Sequence, residues 1–226
     1  MKYYCDGSRF RPDYRGVPHL IMLTWTPLWL LAQLSVASTV EAVISVLLSV
    51  SAVWVCLGSS VVFHVFPLEK PFEDLFARLD LFGIMYMITF KMSPVLMILI
   101  PEVGYPIILF MMPILMYYFR RVMTLTNYDS KHVQVGCFIV IGSIVIVTAV
   151  PMFLCRATAF EIGCWAGGFV FNTIGGCAYI YQWPDPNPKK FGYHEIFHSF
   201  HVCATILSCM TNYSVLYRHG QRLAGL

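Results

Sequence analysis

Residues 41–66 read EAVISVLLSVSAVWVCLGSSVVFHVF, with Glu41 the one charged side chain of the run and Ser60 and His64 close to its far end. A helix of this length rises about 39 Å, more than the ~30 Å of hydrocarbon in a bilayer. No soluble helix needs so long an uncharged face. The rest of the chain matches: 58% of its 226 residues are hydrophobic and only 12% are charged, against roughly 25% charged in soluble domains. Mean hydropathy is +0.68. The net charge of +3 is thinly spread, so no basic stripe suits a nucleic acid. The composition implies a single all-α, polytopic, integral membrane domain.

Outward from that run, polar breaks divide the chain into seven expected spans: 20–39, 41–66, 79–99, a fourth after Pro101-Glu102 and ending near Phe119, 132–153, 160–182 and 193–217. Residues 1–19 form a short polar segment with no signal-cleavage site, residues 20–217 the seven-helix bundle, and 218–226 a tail. Arg120, Arg121 and the polar stretch 124–131 close the fourth span, and the proline-rich stretch 184–190 makes a stiff loop. Lys2, Arg9, Arg11, Arg15, Lys70, Arg78, Arg120, Arg121, Lys131, Lys189 and Lys190 then fall on one side, against Arg156, Arg218 and Arg222 on the other. Basic residues favour the cytoplasm, which puts the N-terminus inside and the C-terminus outside. Five glycines (Gly163, Gly167, Gly168, Gly175, Gly176) suit close packing of the sixth helix. The eight cysteines include no CxxC pair, and only Cys155 and Cys164 are placed to bridge on an oxidising side.

Parity brings distant residues to one depth. The second span ends, with His64, at the face where the third begins with Asp80, and four crossings later the seventh starts there with His194-Glu195-Ile196-Phe197-His198. All four side chains then lie within roughly 10 Å of that interface. His194 and His198, four apart, share a helix face. Three imidazoles and a water make an open zinc site, and zinc brings the pKa of its water toward ~7. Asp80 would hold or deprotonate that water, or brace a ligand from behind; its plainer alternative is an N-cap. Ser60, one turn before His64, is placed to bond the water, Asp80 or a substrate carbonyl, or simply to pack. The histidines' own alternative is three separate contacts to backbone or phosphate. HEIFH also fits the H-E-x-x-H metalloprotease pattern with Glu195 as base, but residues 199–226 contain no Asp or Glu to supply the downstream ligand.

Ser60-Val61-Val62-Phe63-His64, Leu79-Asp80-Leu81-Phe82-Gly83-Ile84, Ala178-Tyr179-Ile180-Tyr181 with Pro184, and His194 to His198 resemble, in order and spacing, the progestin and adipoQ receptor / haemolysin III family, from about His19 to the end of the seventh span. The resemblance implies seven helices and a Zn2+ ion near the cytoplasmic face. It assigns the ligands to His64, His194 and His198, with Ser60 and Asp80 lining the site. Adiponectin receptors, members of that family, resemble ceramidases and are thought to hydrolyse lipid amides. The chain departs at Tyr14-Arg15-Gly16-Val17-Pro18-His19, where many relatives carry an acidic, asparagine-containing motif, and no long cytosolic segment precedes the first span. Both departures weigh against hormone reception and adaptor docking.

The expected activity is therefore zinc-dependent hydrolysis of a ceramide-like lipid amide, with membrane lipids as partners and Asp80 and Ser60 as catalytic residues. The alternative is a receptor or scaffold with a structural zinc. His201 is expected to line the site, and Glu195 to face the interface or the positive end of its helix. Lys91, about 18 Å into the third span, either snorkels or pairs with Glu102. Asn212-Tyr213-Ser214 fits the glycosylation pattern close to the membrane.

Overall fold

A computed structural model of the chain describes residues 2–3, 10–124 and 131–225. Arg9 and most of the polar stretch 124–131 lie outside the described residues. The decisive run becomes α2, Val40–Val65. The N–H of Ala42 donates to Thr39 Oγ1 at 3.1 Å, an N-cap that answers one otherwise unpaired donor, and Glu41 sits in the first turn where negative charge is favourable. Six further helices follow the expected order: α1 Val17–Val36, α3 Lys70–Phe90, α4 Pro101–Thr124, α5 Lys131–Arg156, α6 Ala159–Tyr181 and α7 Tyr193–Leu223. A two-residue antiparallel pairing, β1 Lys2–Tyr3 with β2 Phe10–Arg11, precedes them.

Four helical stretches are long and apolar enough to cross a membrane: Val17–Val36, Val40–Val65, Lys70–Leu99 and Pro101–Thr124. Val140–Arg156 is a shorter apolar helix. The chain is thus an all-helical integral membrane protein, and α6 and α7 fall short of that hydropathy. Glycines dilute α6, while histidines, hydroxyl side chains and basic residues dilute α7. Packing follows chain order for α2 on α3 and α6 on α7, while α1 lies against both α2 and α7. Met22, Val53, Cys56, Leu57, Met87 and Cys209 form one buried cluster that joins α1, α2, α3 and α7.

The third helix departs from expectation at both ends. It starts at Lys70 rather than 79, so Asp80 is no N-cap but sits in the body of α3. The polar stretch KPFEDLFAR is itself a good helix start, with proline at its first turn and Glu73 behind it. The expected continuous span to 99 is broken after Phe90 and resumes as a π-turn, Val95–Leu99. Pro94 has no N–H for the Phe90 carbonyl, and Ser93 Oγ donates to that carbonyl instead, at 2.6 Å. The Lys91 carbonyl accepts from Ser49 Oγ at 2.7 Å and from Asn212 Nδ2 at 2.9 Å.

Those contacts close two alternatives that the residues left open. Asn212 is fully buried within α7, so it offers no acceptor for a glycan. Lys91 does not pair with Glu102, whose carboxylate takes two bonds from Arg156, at 2.8 and 3.2 Å. Cys155 and Cys164 are free thiols, not a bridge. Three of the five expected α6 glycines do face α7: Gly167, Gly168 and Gly175 lie against Leu207, Ala204 and Phe200.

Gly104 marks the tightest backbone approach. A Cβ there would lie 1.8 Å from the Leu96 carbonyl oxygen of the π-turn. Gly104→Ala must push α4 away from that turn and is expected to cost about 1–3 kcal/mol, as overpacked cores do. Thermal unfolding of the detergent-solubilised variant measures it; an unchanged midpoint would refute the close approach.

Candidate metal centre

Four helix segments converge at one end of the bundle: the start of α1, the end of α2, the first half of α3 and the start of α7. Gly16, with φ of +82°, turns the chain into α1. A Cβ there would meet His64 Cβ at 3.0 Å and Val65 Cγ2 at 2.9 Å, so this glycine lets α1 begin against the last turn of α2. The α6–α7 loop closes the same end: the N–H groups of Asp13 and Tyr14 donate to the carbonyls of Lys189 and Lys190 at 3.3 and 3.2 Å.

His64, His194 and His198 come together there, each offering a ring nitrogen within 4.8 Å of the others. Their ring centroids are 4.6 to 5.3 Å apart. Asp80 joins them, with Oδ2 3.5 Å from His64 Nε2. His64 and His198 are almost wholly buried, at 3% and 2% exposed. The donor set suits zinc: neutral imidazoles and a nearby carboxylate are its usual company. Nδ1 of His198 is buried with no hydrogen-bond partner among the described residues, a cost that a metal or another ligand would remove. Ligand nitrogens about 3.3 Å apart would fit tetrahedral Zn–N bonds of about 2.0–2.1 Å, so the cluster must draw in modestly to hold the ion.

Glu195 does not lie on the surface. It is fully buried, accepts from the Gly192 N–H at 2.6 Å and pairs with Arg15. It therefore caps α7, in agreement with the helix-terminus expectation. Arg15 also reaches His194, Nη1 to Nδ1 at 3.2 Å. A guanidinium beside a cation site is unfavourable by itself; Glu195 balances its charge.

Ser60 lies at the same end but meets His19, its Oγ 2.9 Å from Nδ1. His19 stacks on His198, centroids 3.9 Å apart and planes 7° from parallel, and its Nε2 lies 3.4 Å from His201 Nδ1. Arg15 and His19 are the residues that reading the sequence overlooked. His19, near the start of α1, joins the histidine cluster through its contacts with Ser60 and His198. His201 adjoins this second group rather than the three-histidine cluster.

No solved structure matches the chain. A family model described as Haemolysin-III related matches residues 9–209, a stretch that contains every side chain of this site. The chain belongs to the haemolysin-III-related family.

Proposed function

We propose that this protein is a zinc-dependent hydrolase of lipid amides, a seven-span bundle with its N-terminus and histidine pole toward the cytoplasm. The observation that carries the reading is the buried convergence of His64, His194 and His198 beside Asp80. Family membership supports the metal and the fold, and the distribution of basic residues supports the orientation. When bound, zinc supplies a Lewis acid that polarises a carbonyl and acidifies water. The three histidines hold it. Asp80 orients a water, takes its proton and returns that proton to the leaving nitrogen.

Elemental analysis of purified protein tests the metal, with one zinc per chain expected and none refuting it. Turnover of a labelled ceramide tests the chemistry. Asp80→Asn is expected to lower that turnover on the order of 10²–10⁴-fold while zinc content and thermal midpoint stay put; unchanged turnover would sink the enzyme reading. One observation favours a structural zinc instead. The ligands come from α2 and α7, which both pack on α1, so an ion would tie those two helices together. In that case Asp80→Asn is silent in every assay and histidine substitutions unfold the bundle.

A further inference from the structure

We propose that the seam between α1 and α7 holds an anionic phospholipid, one acyl chain in a groove and its phosphate on Lys189 and Lys190. The groove measures about 610 Å³. Val17 and Ile21 of α1 line it together with Val202 and Cys203 of α7. Tyr14 and Phe191, each just ahead of its helix, line the end nearest the α6–α7 loop. A concave surface of this size, walled by apolar side chains, suits an acyl chain.

Backbone bonds set the two lysines at that end. The Tyr14 N–H donates to the Lys190 carbonyl at 3.2 Å, and Lys190 directly precedes Phe191, so both neighbours of this lysine line the groove. The turn that carries the pair is closed on itself. Asn187 and Phe191 exchange both of their backbone hydrogen bonds, at 3.2 and 2.8 Å. Lys189 and Lys190 are exposed, and among the described residues no ion pair takes up either ammonium. Asp185 of the same loop accepts from the Tyr193 N–H at 3.1 Å. Asp13, whose N–H donates to the Lys189 carbonyl, is the exposed acid of this rim. Tyr181 and Trp183, 76% and 73% exposed, flank the loop as aromatic side chains do at headgroup level. Lysines at that level attract anionic lipid.

No histidine of the metal cluster lines the groove, so this lipid is a ligand apart from the proposed substrate. Its seat says what it does. α1 carries His19, and α7 carries His194 and His198, so a chain packed in their seam holds the two helices together and steadies the histidine end.

The inference goes beyond the proposed hydrolysis and needs neither zinc nor turnover. The full chain in non-ionic detergent is mixed with dioleoyl phosphatidylglycerol, dioleoyl phosphatidylcholine or glycerophosphate. Native mass spectrometry counts bound lipid, and the thermal midpoint and zinc content are read on the same preparation. One phosphatidylglycerol per chain is expected, with the midpoint raised by about 5–10 °C at lipid about 100-fold above its Kd. Phosphatidylcholine and glycerophosphate should give neither. Changing Lys189→Gln and Lys190→Gln together should weaken retention on the order of 30-fold. Asp13→Asn should tighten it, and Cys203→Trp, which fills the groove, should abolish it. Equal retention of the two lipids, a midpoint raised by glycerophosphate alone, or retention unmoved by the lysine changes would overturn the site. Both lysines are exposed, so their variant decides the matter even if Cys203→Trp does not fold, and the zinc count judges the metal separately.

Discussion

His198→Ala is expected to empty the metal centre: from one zinc per chain to none, with labelled-ceramide turnover falling to background. His198 brings the cluster's most isolated donor, since its Nδ1 is buried with no partner among the described residues. Removing it leaves His64 and His194 on separate helices, and two imidazoles do not complete a tetrahedral shell. The ring has a second duty, because His19 stacks against it. A His198→Gln variant keeps some of that bulk and separates lost packing from lost ligation: zinc should still be absent while the thermal midpoint recovers. Retention of a full zinc equivalent by His198→Ala would show that the ion sits elsewhere.

Glu195→Ala is expected to cost about 3–5 kcal/mol, because it breaks, from one side, an ion pair whose carboxylate is buried. The carboxylate is wholly buried and holds both the Gly192 N–H and Arg15. Without it the α7 cap is lost, and the guanidinium faces His194 with its charge unbalanced. The thermal midpoint in detergent should fall on the order of 10 °C, at a few degrees per kcal/mol for a chain of this size, and zinc affinity should fall with it. Arg15→Ala combined with Glu195→Ala should cost less than the sum of the two, since each removes the other's problem. Strict additivity would mean the pair does not act as one.

What could be read from residues alone depended on whether the signal was local. Ser60 and His64 declare their shared face by spacing, as do His194 and His198, and crossing parity placed these with Asp80 at one end. Hydropathy misjudged the third helix because it locates the membrane, not the helix: KPFEDLFAR coils before the apolar run begins. The same apolar run hid the interruption at Pro94, where side-chain donors from α2 and α7 meet a freed carbonyl. Arg15 with Glu195, and His19 with Ser60, are partners distant in the chain. No periodicity announces such pairs. His19 was read as the boundary of a polar segment.

The grip on that interrupted helix ties the histidine end of the protein to its middle. Asn212 clasps the backbone where the helix bearing Asp80 gives way, and Asn212 belongs to the same rod that presents His194 and His198. Rocking this rod would drag the acid's scaffold along with it, so bilayer stress that tilts the final helix should preserve the spacing between imidazoles and carboxylate.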